Sequence, residues 1–409
     1  MSTSRTPRRS GTGAAVGAVG EAAAVRRWSM LGASTLAQAA AAVMVHGPAF
    51  LIPVLHDREG LSLAGAGLVA AAPTVGIMLT LVAWGAVTDR RGERFVLVTG
   101  LVATTAAGLL AVLVGGTVPL ALVLLLAGAA AASTNSASGR VVVGWFPAQR
   151  RGLAMGVRQM AQPVGVGLAA VSIPVIADRH GVAAALWVPV VACAFSAVVV
   201  AAVVADPPRP ARTGAQAANP YRRDRFLHRV HAVSVLLVVP QFLVWTFALV
   251  WLVQDRDWSP AAAGSLVAAA QLAGAAGRIG AGHLSDVVAS RMRPLRWVAL
   301  AAAATMAALG LAAGLDLPLA VGLMVLATVL TVADNGLAFT AVAERAGPFW
   351  SGRALGVQNT AQFLTASLVP PLAGLLIATA GYPAAFGVAA VFPVLAAALV
   401  PVGDEHGPG

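Results

Sequence analysis

Apolar runs of about 20 residues, parted by short polar or charged stretches, recur along most of the chain. They fall at 28–55, 64–87, 95–115, 118–143, 153–177 and 183–205. After a longer polar interval they resume at 231–254, 261–284, 295–315, 317–341, 354–380 and 382–402. About 20 apolar residues is the length a helix needs to cross a bilayer. The pattern predicts an all-α integral membrane protein with twelve transmembrane helices in two six-helix bundles, 28–205 and 231–402. Residues 1–27 and 403–409 read as tails, the first disordered. Residues 206–230, with Pro207, Pro208, Pro210 and Pro220, read as a linker between the halves.

Composition agrees with this reading. The chain is 58% hydrophobic and 11% charged, with a mean hydropathy of +0.82. A soluble domain carries about 25% charged residues. The formal charge of +11 does not point to nucleic acid, because the basic residues are placed by topology. All 27 are arginines, and they gather in alternate loops: Arg90, Arg91, Arg94, Arg150, Arg151, Arg291, Arg293, Arg296 and the 206–230 interval. The other loops hold Arg58, Arg179 and Arg256 among Asp57, Glu59, Asp178, Asp255, Asp257 and Asp316. Arginine bias puts the richer side in the cytoplasm, and with it both termini and the linker. The pair Arg8-Arg9 is followed by Ser-Gly-Thr-Gly rather than an apolar core, so it does not read as an export signal. Cys193 is the single cysteine, which excludes an internal disulfide.

The two halves repeat one another. Gly85 to Arg94 reads Gly-Ala-Val-Thr-Asp-Arg-Arg-Gly-Glu-Arg, and a weaker copy, Gly282-His283-Leu284-Ser285-Asp286 with Arg291 and Arg293, follows half a chain later. Asp89 and Asp286 lie 197 positions apart. At an offset of 200, Asn135, Gly152, Gly156, Val157 and Gln162 meet Asn335, Gly352, Gly356, Val357 and Gln362. Parallel repeats of this kind place a substrate site between the halves, near the bilayer midplane.

These residues resemble the major facilitator superfamily of secondary transporters. Its loop signature between the second and third helices, Gly-x-x-x-Asp-Arg-x-Gly-Arg-[Arg/Lys], is matched at Gly85, Asp89, Arg90, Gly92 and Arg94, with Glu93 in place of an arginine. The resemblance implies a conformational latch at Gly85, Asp89, Arg90, Gly92, Arg94, Asp286 and Arg291 that stabilises the outward-facing state. Arg140 is either a partner for Asp89 or a side chain that snorkels to the interface. Two features depart from drug/proton antiporters. The fourth segment has Val123 to Ala127 where many members carry an arginine, and the fifth has Gln162-Pro163-Val164-Gly165-Val166-Gly167 without the first glycine of their Gly-Pro motif.

Ionisable groups inside apolar segments are candidates for mechanism. Asp334, in the tenth segment, is a natural proton-coupling group or a structural ion pair. Arg158, in the fifth, either closes an inner gate with Asp334 or binds an anionic substrate through its planar fork. A polar set on the same helices outlines a binding cavity: Gln38, Asn135, Gln159, Gln162, Gln241, Asn335, Gln358, Asn359 and Gln362, with Trp245 beside it. Trp251 reads as part of an outer aromatic belt.

No nucleotide-binding loop, metal cluster or catalytic set is legible, so neither cofactor nor enzymatic activity is expected. The sequence reads as a monomeric secondary carrier in the cytoplasmic membrane, moving a small solute by alternating access. Its expected partners are a small-molecule substrate, protons and the lipid bilayer, with an organic anion as one substrate class. The alternatives are a proton-driven efflux pump for a drug or apolar metabolite, and a membrane sensor without transport.

Overall fold

A computed structural model describes residues 12–207 and 218–405. Pro208, Pro210 and the ends of both predicted tails lie outside the described residues. Among the described residues there is no strand. The first half consists of α1 (Thr12–His46), α2 (Leu63–Arg91), α3 (Glu93–Leu113), α4 (Thr117–Trp145), and a pair built from Arg151–Arg158 and Ala161–Val203. The second consists of α7 (Phe226–Gln254), α8 (Pro260–Val287), α9 (Met292–Gly314), α10 (Leu319–Ala346), and a pair within Ser351–Leu399.

In each pair a glycine marks the point where one crossing helix ends and the next begins. Gly181 (φ 86°) and Gly381 (φ 80°) take a left-handed conformation that side chains resist, and the chain reverses there. These breaks part α5 from α6 and α11 from α12. With each pair counted as one run, the described residues hold nine helical runs long and apolar enough to cross a membrane. α8 is not among the nine. Its run is diluted by Gln271, Arg278, His283 and Asp286, yet it takes the place in the second half that α2 takes in the first.

Residues 12–27, expected as tail, continue α1 as helix. That stretch is rich in alanine and lacks proline, so nothing in it stops a helix. Elsewhere, large apolar side chains such as Leu79, Leu113, Val171, Phe195 and Leu272 are exposed, as lipid-facing positions require. Trp251 corrects its sequence reading. It is fully buried, edge-on to Phe386 at 5.6 Å between ring centroids, and belongs to the core of the second half rather than to an interfacial belt.

The end of the bundle that carries the 206–230 interval is called the linker face below. One large apolar cluster draws its buried residues from both halves, and it lies at that face. It joins Leu31, Val142, Phe146 and Met155 to Phe226, Leu227, Met292, Leu337 and Val342. The first segment of α5 packs on α8, and α2 packs on α11. The longer remainder of the α5–α6 pair packs within its own half. The two halves are thus closed against each other at the linker face.

Candidate functional site

The closure rests on two helix starts that cannot cap themselves. Residues before Arg151 and Ser351 are Arg150 and Trp350, and neither side chain accepts from the first-turn N–H groups. Those N–H groups are taken by carboxylates from the opposite half. Asp89, at the end of α2, accepts from Gly352 N–H at 2.8 Å and Arg353 N–H at 3.1 Å. Asp286, at the end of α8, accepts from Gly152 N–H at 2.9 Å and Leu153 N–H at 2.8 Å. A carboxylate against a helix N-terminus is also favoured by the helix dipole.

Glycines permit the approach. A β-carbon on Gly352 would stand 2.5 Å from the Gly85 carbonyl oxygen, and one on Gly152 would stand 2.2 Å from that of Gly282. One turn deeper the pattern repeats: Gly356 lies on Leu81 and Val82, and Gly156 on Arg278 and Ile279. Position 278 is therefore the counterpart of position 81.

The charges behind the two aspartates differ. Asp89 also binds Arg140 (3.0 Å) and the Arg353 Nε (2.9 Å), and Arg140 holds Glu93 at 2.9 Å. Asp286 binds Arg291 at 2.6 Å; Arg291 reaches Glu344 and donates to the Ala148 carbonyl across the interface at 2.6 Å. Burial works to lower the pKa of Arg291, but the charges of Glu344 and Asp286 overcome it and hold the guanidinium above its ordinary value.

Between the halves lies a cavity of about 60 Å³. The first half contributes Gln38, Asn135, Arg158, Gln159 and Gln162; the second contributes Gln241, Trp245, Arg278, Asn335, Asn359 and Gln362, with Phe242, Phe339 and Phe363 as apolar wall. Its amides pair by the same rule in each half. Gln38 donates to Asn135 at 2.7 Å, and Asn335 donates to Gln241 at 3.2 Å. Pockets that hold drug-sized ligands measure about 300–1,000 Å³, so this cavity is contracted.

Three comparisons bear on this architecture. The family model described as Major Facilitator Superfamily matches residues 33–370. The chain belongs to the Major Facilitator Superfamily. It is 47% identical over 379 residues to the Uncharacterized MFS-type transporter Rv2994 of Mycobacterium tuberculosis (strain ATCC 25618 / H37Rv), covering 92% of this chain and 85% of that one. Among solved structures it resembles the transporter FucP in the outward conformation (TM-score 0.73, 14% identity, 90% of this chain and 97% of that chain). It also resembles the human organic anion transporter MFSD10 (TM-score 0.70, 16% identity, 91% and 99%). The protein is thus a multi-pass membrane transporter and not an enzyme.

Within this superfamily frame, some signature residues work elsewhere. Arg90 is exposed and makes no hydrogen bond or ion pair among the described residues. Arg94 serves its own half: its N–H binds Asp206 at 2.9 Å and its guanidinium the Ala201 carbonyl at 2.7 Å. Gly92 makes the turn between α2 and α3 at φ 102°. Two partners of these charges that sequence reasoning misses, Arg353 and Glu344, sit outside the signature, and no spacing marks them.

The interior charges also depart from expectation. Arg158 forms no ion pair with Asp334. It is held in its own half by Ser138 Oγ (2.8 Å) and Gln159 Oε1 (2.6 Å), and lies over the Phe339 ring at 5.6 Å. Asp334 is 1% exposed, lies near the middle of α10 outside the cavity lining, and neither oxygen accepts a hydrogen bond. The cation whose charge reaches it is Arg278, beyond ion-pair distance. Sequence reasoning passes over Arg278, which stands among the glycines Gly274, Gly277 and Gly280. The signal was present: an arginine inside an apolar segment. Gln358 does not reach the cavity. It bonds His231 and Ser234 instead.

Proposed function

We propose that this transporter carries a small organic anion across the cytoplasmic membrane, coupled to protons, with the linker face turned to the cytoplasm. One observation carries the reading: Arg158 and Arg278 are the ionisable side chains lining the central cavity, and no carboxylate among the described residues lines it. Two guanidiniums facing an enclosed space suit a planar oxyanion. The aromatic wall of Phe242, Trp245, Phe339 and Phe363 suits a substrate whose remainder is apolar. The arginine bias of the linker face supports the orientation.

Asp334 is the proposed proton site. It is the interior carboxylate that accepts no hydrogen bond and that shares Arg278 with the cavity. Each translocated charge is worth about 2.3 kcal/mol across 100 mV, which supports tens-fold accumulation. The site residues are Arg158, Arg278, Gln38, Asn135, Gln159, Gln162, Gln241, Trp245, Asn335, Asn359 and Gln362; the latch is Asp89 and Asp286 with their partners. The carrier works as a monomer, because each half closes on the other half of the same chain.

The test is a thermal-shift panel that pairs carboxylates with their neutral amides, followed by flux in proteoliposomes under an imposed pH gradient. Carboxylates should stabilise the protein and their amides should not. Stabilisation by neutral compounds alone would point instead to export of an apolar metabolite. Carboxylate flux indifferent to the gradient would remove Asp334 from coupling.

A further inference from the structure

Helix α5 is interrupted at the level of the cavity. It runs from Arg151 to Arg158, turns through Gln159 and Met160, and resumes at Ala161. Pro163 explains the break. In a continuous helix the N–H of residue 163 would donate to the Gln159 carbonyl, and proline has none to give. That carbonyl is taken from the opposite half: Arg278 Nη1 of α8 donates to it at 2.8 Å.

The bond lies one turn deeper than the Gly152–Gly282 contact, and its donor neighbours Ile279, whose backbone packs on Gly156. Its donor is 8% exposed, lines the cavity, and has a buried Nε with no hydrogen-bond partner. Arg158 contrasts with it, because its hydrogen bonds stay within the first half. The pseudo-symmetric crossing has no such bond. Leu81 stands at the counterpart of Arg278, and Phe363 at the counterpart of Pro163.

We propose that Arg278 is a substrate-released tether. In the empty carrier it holds the linker face shut by binding the Gln159 carbonyl. A carboxylate entering the cavity competes for the same guanidinium; once Arg278 turns to it, α5 and α8 lose their polar link at the level of the cavity, the Asp286 bonds alone hold that crossing, and the linker face opens. A charged acceptor makes the stronger hydrogen bond, so the exchange is favourable. The substrate thereby opens its own exit, and an empty carrier stays closed on that side. The identity of the releasing ligand rests on the anion reading above; the tether itself does not.

The experiment measures distances by double electron–electron resonance on full-length protein. Spin labels are placed at Arg150→Cys and Arg293→Cys, which are exposed on opposite halves of the linker face, with Cys193→Ala removing the native thiol. Without ligand, Arg278→Leu should raise the ratio of open to closed populations by at least about tenfold. Pro163→Ala leaves both cavity arginines in place but returns an N–H to compete for the Gln159 carbonyl. It should raise the ratio about three- to tenfold. Acetate, succinate, citrate and benzoate are then added to the wild type. At least one should open the linker face, and Arg278→Leu should no longer respond. If both variants keep the thermal stability and the ligand-free distances of the wild type, the tether is refuted. If both variants open but no carboxylate moves the wild type, the tether stands and the anion reading falls.

Discussion

The linker-face contacts and the central cavity are built from the same repeat, yet one kept its symmetry and the other lost it. At the linker face each half offers an aspartate to the other's uncapped helix, at the same two N–H positions, over the same pair of glycines. In the cavity the amide pairs Gln38–Asn135 and Gln241–Asn335 are still twins. The charges are not: Arg158, Arg278 and Asp334 stand opposite Gln358, Leu81 and Thr134. Closing two halves around a central axis needs matched surfaces. Recognising one solute needs a polarity that matched surfaces cannot supply.

The comparison can be broken first at Asp89. Its side chain is 2% exposed, and removing it breaks two ion pairs, with Arg353 and with the buried Arg140, which keeps Glu93 and the Thr88 carbonyl. Breaking a buried ion pair by removing one partner costs about 3–5 kcal/mol. Asp89→Ala should lose that much stability of the closed linker face, measured by thermal unfolding and by distance distributions across the face. Asp286→Ala should cost less, about 1.5–3 kcal/mol, because Asp286 pairs with one arginine where Asp89 pairs with two, and that arginine keeps Glu344 and the Ala148 carbonyl. Equal losses would mean that the charges behind the aspartates do not matter.

Gly152→Ala and Gly352→Ala probe the part that stayed symmetric. Each β-carbon would meet a carbonyl oxygen within 2.5 Å, so the two should shift the closed state alike, by about 1–3 kcal/mol. A large difference would show that one crossing bears more of the closure than the other. The smallest effect is expected from Gln38→Ala against Gln241→Ala: each removes one amide–amide bond, and Gln38 also loses the bond it accepts from Ser138, each neutral bond being worth about 0.5–1.5 kcal/mol. Ligand affinity measured in the two variants reports which half holds the substrate more tightly.

Much of this architecture was legible in the sequence. The apolar runs outline the helices; the offset of 200 that aligns Gly152 with Gly352 also aligns the breaks at Gly181 and Gly381, and an offset of 197 aligns Asp89 with Asp286. The polar set converges because amides inside a membrane protein must face protein or water; only Gln358 found partners elsewhere. What stayed hidden depends on three-dimensional register. Nothing local says that Asp89 will cap a helix beginning at Ser351, since that contact spans more than half the chain. Arg158 and Asp334 lie at similar depths, but depth does not fix facing: Arg158 lines the cavity and Asp334 does not. The break in α5 was signalled by Pro163, while its consequence, a free carbonyl offered to the other half, requires knowing what lies across from it.

The claim that asymmetric charge selects an anion is tested most directly by comparing binding of one carboxylate from the thermal-shift panel with that of its amide, in wild type and in Arg158→Gln. The account predicts that the wild type binds the carboxylate at least about tenfold more tightly than the amide, a preference worth about 1.4 kcal/mol, and that Arg158→Gln abolishes it. Equal affinity for carboxylate and amide in the wild type, or a preference that survives loss of Arg158, would contradict it.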